Sequence, residues 1–250
     1  MAEWVSHLIV ADRMLEILPW LKRHEFCVGS IAPDCNLPNA DGTGWTPSRQ
    51  VTHWMQGARK TPSDCIRFCE SYIIDRCREI DTDEELSFLY GYYAHLITDA
   101  ELQRYTRDEQ RVRAVWERVD RIPELSAMAQ GIERDWDGYK MLFPDRMERA
   151  KDFFAVEKEY LDSHPQSGYF TEIRGLTSFP DYIGYLPAGA IPQKVRHMYY
   201  MPSDDGLRYP FTGFSREEYM TFLDRAVALS VSAVEDAQRI MVSGGWEHEG

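Results

Sequence analysis

Along most of the chain the apolar residues recur at helical spacing. At 4–18 they fall at Trp4, Leu8, Ala11, Met14, Leu15 and Leu18, one face of an amphipathic helix that Pro19 stops. Thr61-Pro62-Ser63-Asp64 predicts the next helix, with Thr61 as N-cap and Pro62 at the first helical position, running to about residue 80. Thr82-Asp83-Glu84-Glu85 is a capping box and opens a helix over about 82–103. Thr106-Arg107-Asp108-Glu109 repeats the signature for a helix to about residue 121, and further helices are predicted over 124–143 and, capped by Asp145, to about residue 163. Ser215-Arg216-Glu217-Glu218 caps a last long helix ending near residue 242, followed by a polar, frayed tail after Trp246. Residues 164–214 sustain no period. Pro and Gly recur there among many aromatics, which predicts an ordered, aromatic-rich irregular flap packed on the helices. The expected fold class is all-α: a single helical domain over 1–250 around a central buried helix.

That central helix carries the first chemical signal. Residues 86–97 are apolar or aromatic on nearly every side, as in a helix inside a protein. His95 and Asp99 nevertheless stand in it at i and i+4, on one face about a turn apart. Gly91, one turn earlier, removes bulk where another backbone must come close. A buried imidazole and carboxylate require hydrogen bonds, an ion pair or a metal.

Composition narrows the classes. The formal net charge of −13 argues against binding nucleic acid or an anionic membrane by bulk electrostatics, but leaves room for a local cationic site. No apolar run reaches the ~18 residues of a membrane span. The N-terminus lacks the basic and apolar regions of a signal peptide, and charged residues make up 28% of the chain, so a soluble protein is expected. The five cysteines form no CxxC pair and suit reduced thiols, which points to a cytoplasmic location.

Three further polar residues occupy inward or loop-mouth positions. His7 lies on the apolar stripe of the first helix. Asp34 closes the apolar run Phe26-Cys27-Val28-Gly29-Ser30-Ile31-Ala32-Pro33, where the Gly- and Pro-rich loop 35–50 begins, and His53 stands in Val51-Thr52-His53-Trp54. His7, Asp34, His53, His95 and Asp99 together have the ligand chemistry of zinc or another first-row divalent metal. There is no HExxH, no adjacent His-Asp dipeptide and no Glu-x-x-His, so zincins, HD-type phosphohydrolases and di-iron carboxylate bundles do not fit.

In its order the set resembles the zinc-dependent phospholipase C family, whose superfamily includes fungal single-strand nucleases. The resemblance rests on His7 in Trp4-Val5-Ser6-His7-Leu8, Asp34 after Pro33, His53, and His95-x-x-x-Asp99. It implies an all-helical domain in which Asp34, His53, His95 and Asp99 form one zinc site and His7 joins Asp99 at a neighbouring one. It also implies a metal-dependent hydrolase acting on a phosphoester, most readily a phosphodiester, through metal-activated water. Asp34 would serve as ligand or catalytic base, and the substrate would be a small-molecule or lipid phosphoester. The chain departs from the family after Asp99. The family's further His and His-x-x-x-Glu are missing, since His164, His197 and His248 are not followed by Glu at that spacing. Only Asp135 and Asp137 stand as substitutes. One tight zinc and a labile second divalent ion are therefore expected. The rival readings are a non-catalytic helical module with a structural metal and a metal-free interaction scaffold.

Overall fold

The computed structural model describes residues 2–57, 61–198, 201–203, 206 and 208–243. The fold is all-α. Its helices, in chain order, are α1 (Trp4–Ile17), α2 (Arg23–Gly29), α3 (Arg49–Thr52), α4 (Cys65–Cys69), α5 (Asp83–Thr106), α6 (Glu109–Asp120), α7 (Pro123–Met128), α8 (Trp136–Leu142), α9 (Arg146–Ser163), α10 (Ala190–Met198) and α11 (Arg216–Ser243). Among the described residues the only sheet is a two-stranded hairpin, Leu37–Pro38 against Trp45–Thr46, inside the loop that follows Asp34. No described helix is long and apolar enough to cross a membrane.

The central helix is α5. Thr82 caps it by accepting the Glu85 N–H at 3.1 Å, and Asp83, Glu84 and Glu85 complement the positive end of its dipole. From Leu86 to Asp99 every residue of α5 is buried, because α2, α11, α1 and α4 pack around it. The α2–α5 contact is unusually close. A Cβ on Gly91 would lie 2.2 Å from the Phe26 carbonyl oxygen, and a Cβ on Gly29 would lie 2.2 Å from that of Phe88. Two glycines facing one another thus let two backbones touch.

Several predicted boundaries shift, each for a local reason. The helix expected over 61–80 begins only at Cys65: the bridge Met55–Ser63 holds residue 63 extended, and Asp64, not Thr61, is the N-cap, accepting from Arg67 N–H at 3.1 Å. It widens into a π turn at Glu70–Ile74 and stops. Thr106 ends α5 instead of starting α6, since Tyr105 and Thr106 are buried with α5 and Asp108 takes the cap by accepting from Arg111 N–H. The helix expected over 124–143 is two helices. Gly131 at φ 79° turns the chain out of the first, and Asp135 caps the second, accepting from Gly138 N–H at 2.6 Å. α6, α7 and α8 enclose a small core of their own around Trp116, Val119, Leu125 and Tyr139.

The stretch 164–214 is less irregular than expected, containing a π turn at Tyr169–Ile173 and the amphipathic α10. Buried carboxylates fasten both its ends. Asp12 on α1 accepts from Ser167 Oγ at 2.5 Å and Gly168 N–H at 2.9 Å, while Asp152 on α9 accepts the Phe211, Gly213 and Phe214 N–H groups at 2.6, 3.0 and 3.1 Å. In between, Phe179 and Tyr182 pack on Phe88, and Tyr185 donates to Tyr92 Oη at 2.8 Å. The tail after Trp246, with His248, lies outside the described residues.

A buried triad joins the helices behind the first turns of α1. Glu157 on α9 accepts from Ser6 Oγ at 2.6 Å and Tyr219 Oη at 3.0 Å, and its second oxygen has no partner. Burial pushes its carboxyl up to about 7, against the hydrogen bonds from Ser6 and Tyr219. An unfolded chain loses that proton near 4.5, so between 4.5 and about 7 the folded state holds more protons and loses stability as pH rises. Glu157→Gln should therefore gain on the parent in denaturant midpoint steadily across that window and level off above it. Parallel midpoint-against-pH curves would refute the assignment. Gly91→Ala should cost on the order of 2 kcal/mol, as for overpacking a filled contact, and an unchanged urea midpoint would show that α2 can simply slide aside.

Candidate metal centre

Three helices and two loop junctions converge where α2 ends against α5. His7 projects from the second turn of α1. Asp34 ends a 3-10 turn, Ala32–Asp34, that Pro33 helps to close after α2. His53 is the C-cap of the short α3. Directly after it Trp54 takes φ 52°, a left-handed conformation costly for a bulky residue, and packs its ring edgewise on Phe68 and Tyr72. That reversal anchors His53. The fourth and fifth residues, His95 and Asp99, share one face of α5, as the i, i+4 spacing requires.

The five side chains meet. His53 Nε2 lies 3.3 Å from His95 Nε2, 3.3 Å from Asp34 Oδ1 and 3.6 Å from Asp99 Oδ2. His7 Nε2 lies 3.7 Å from Asp99 Oδ1, and its ring stacks on that of His95 with centroids 3.7 Å apart. Two overlapping groups have ligand atoms close enough to hold an ion: Asp34, His53 and His95, and His7, His95 and Asp99. Among the described residues no other group of His, Cys, Asp and Glu does so.

The hydrogen bonds decide which lone pairs face inward. The His95 Nδ1 lies 2.7 Å from the Ser30 carbonyl oxygen, which can only accept, so Nδ1 carries the proton and Nε2 is bare. The Thr52 hydroxyl lies between the Arg49 carbonyl, at 3.4 Å, and His53 Nδ1, at 2.9 Å. When it donates to the carbonyl and accepts from Nδ1–H, His53 Nε2 is bare as well; in the other tautomer Nε2–H donates to Asp34 Oδ1 at 3.3 Å. With both nitrogens bare, their 3.3 Å separation is repulsive unless a cation lies between them. Nitrogens bound at ~2.0–2.1 Å to one tetrahedral zinc lie ~3.3 Å apart. Neither nitrogen of His7 has a hydrogen-bond partner, although the residue is only 1% exposed. The donor set therefore fits zinc.

The charge states agree. Burial pulls the His95 imidazolium down to about 4 and pulls His7 well below the usual histidine value, so both rings are neutral donors at pH 7. For Asp34 and Asp99 burial acts to raise the carboxyl pKa, but the surrounding positive and hydrogen-bonding groups, His53 at Asp34 and Arg49 at Asp99 among them, hold both below the ordinary range. Neutral imidazoles and ionised carboxylates are the forms that bind a metal.

One nearby cation escaped the sequence reading. Arg49, one turn before His53, places Nη2 2.8 Å from Asp99 Oδ2 and Nη1 3.8 Å from Asp34 Oδ1. A lone arginine in an aperiodic loop gives no sequence signal of this. Lys194 on α10, likewise missed, is mostly buried against the loop beyond Asp34, donating to the Asn36 carbonyl at 2.9 Å beneath the Trp45 ring.

Among the described residues, the acidic and imidazole side chains after Asp99 lie elsewhere. The Asp135 carboxylate is occupied as the α8 cap, Asp137 pairs with Lys140 at 3.0 Å, and His164 stacks on Tyr160 with Nδ1 2.8 Å from its carbonyl. His197 is an exposed residue of α10. None of them belongs to either ligand group.

An all-α fold enclosing three imidazoles and two carboxylates has the donor chemistry of a metal-dependent protein. Residues 6–100 match the family model for zinc dependent phospholipase C, a stretch that includes all five of these side chains, and the match supports membership of that family. Comparison with curated proteins and with solved structures found no match. The family match and the His/Asp groups together suggest a metal-dependent hydrolase.

His95 has one free lone pair, yet belongs to both ligand groups, so the groups cannot both use it at once. A first zinc should bind tightly and a second weakly, through His7 and Asp99. Calorimetric titration of metal-free protein should show two unequal affinities, with His7→Ala deleting only the weaker. Chelator should lower the melting temperature of the parent and hardly move that of His95→Ala, because only a species that binds metal gains stability from it. Less than half an equivalent of zinc bound at saturation would end the metal reading.

Proposed function

We propose that the chain is a zinc-dependent phosphoric ester hydrolase, with a phosphodiester as its preferred substrate class and His7, Asp34, His53, His95 and Asp99 as its metal ligands. The observation that carries the reading is the pair of facing imidazole nitrogens at 3.3 Å, in reach of the two carboxylates. The family match supports the phosphoester, and a lipid phosphoester is the form its description favours.

A bound metal would supply Lewis acidity at a phosphoryl oxygen and acidify a water toward pKa ~7 for in-line attack. The protein's own groups do the rest. Ser30 fixes His95 in the tautomer that ligates, and the Thr52 hydroxyl orients the His53 ring through Nδ1. Asp34 is the more exposed carboxylate, at 14% against 5% for Asp99, so water and substrate would reach it first. Held ionised, with its pKa below the ordinary range, it is a weak proton acceptor and serves chiefly to ligate and to orient the attacking water. The attacking water gives up a proton to solvent, the phosphorus–oxygen ester bond breaks as the new one forms, and the departing alkoxide takes a proton from solvent.

A non-catalytic, structural metal is the alternative. The group Asp34, His53 and His95 favours catalysis, since three protein ligands leave a fourth position open, whereas structural zinc sites fill all four with protein. Hydrolysis of bis(p-nitrophenyl) phosphate should be zinc-dependent and fall on the order of 100-fold in Asp34→Asn, as for a nucleophile that loses its positioning. A variant that binds zinc normally and keeps its rate would remove Asp34 from the reaction. Zinc uptake without hydrolysis of phosphodiesters, phosphomonoesters or short-chain phospholipids would favour the structural alternative.

A further inference from the structure

The proposed ligand cluster has a cation of its own, and its placement gives that cation a task. Arg49 is 34% exposed at its side chain, whereas His53 and Asp99 are buried, so the guanidinium stands between the cluster and solvent. It bears on two oxygens, Asp99 Oδ2 at 2.8 Å and Asp34 Oδ1 at 3.8 Å. Those same oxygens approach His53 Nε2 at 3.6 and 3.3 Å, as ligands sharing its ion would. Arginine presents five N–H donors in a planar fork, and two of its nitrogens are accounted for by these carboxylates.

We infer that Arg49 is the phosphoryl-binding residue of the site, held on Asp34 and Asp99 until a metal takes over those oxygens. The inference rests on the phosphoester reading above. A metal ion and the guanidinium draw on one pair of carboxylates, so each weakens the other's hold on them. Metal binding then leaves the Arg49 fork available at the mouth, where an entering phosphate presents two oxygens to it. Anion and metal therefore bind cooperatively, and by linkage each raises the affinity of the other.

The test is calorimetry on the full chain, with zinc and inorganic phosphate as probes. Phosphate should bind zinc-loaded parent at least ten-fold more tightly than metal-free parent. In Arg49→Gln zinc affinity should rise several-fold, because the competing cation is gone. Phosphate affinity of the zinc-loaded variant should fall about ten-fold. Arg49→Lys, which keeps the charge without the fork, should fall in between on phosphate, and it serves in place of Arg49→Gln if that variant does not fold. Phosphate binding within two-fold of the parent in either variant, or zinc affinity unchanged in Arg49→Gln, would overturn the role of Arg49 while leaving the zinc site standing. Absence of zinc uptake by the parent would overturn both.

Discussion

Everything at the candidate centre depends on how closely α2 and α5 approach. Gly29 and Gly91 let the two backbones meet at distances that no side chain would permit. Because they meet, the Ser30 carbonyl at the end of α2 reaches His95 Nδ1 one turn beyond Gly91. That bond sets the tautomer of His95 and turns its remaining lone pair toward His53. The same approach carries the chain past Ser30 into the turn that ends at Asp34, 3.3 Å from His53. A packing constraint between two glycines thus becomes a chemical constraint on one nitrogen.

The centre also shows how burial is tolerated. Its carboxylates would be expensive alone, yet both are held ionised, because hydrogen-bond donors and positive charge surround them, the Ala2 N–H at 2.8 Å from Asp99 and the Arg49 guanidinium among them. His7 and His95 stay neutral for the opposite reason: burial outweighs the attraction of those carboxylates. Elsewhere the fold uses buried carboxylates as fasteners, with Asp12 and Asp152 holding the two ends of the aromatic stretch through backbone N–H groups. The chemistry is the same, but only the centre gathers imidazoles.

Much of this was readable from the sequence, for identifiable reasons. The buried helix announced itself through a capping box and an apolar surface on all sides, and Gly91 marked its close contact. Five inward polar residues could be gathered in order, and the structure places them within reach of one another. What could not be read were features whose causes are distant or competitive. Thr61 and Thr106 both looked like caps, but Asp64 and Asp108 took the role, one because a β-bridge held the preceding residue, the other because α5 found partners for two more residues. Gly131 split a helix whose apolar spacing ran through it. Arg49 lies in a loop without period, and its partners are a turn after α2 and a helix 50 residues away.

The central claim is that buried imidazoles and carboxylates, and none of the cysteines, hold a zinc ion. X-ray absorption at the zinc edge on protein loaded with one equivalent tests it most directly. The first shell should be nitrogen and oxygen only, at ~2.0–2.1 Å, with the outer-shell scattering of at least two imidazoles. Sulfur at ~2.3 Å, or a shell without imidazole scattering, would contradict it.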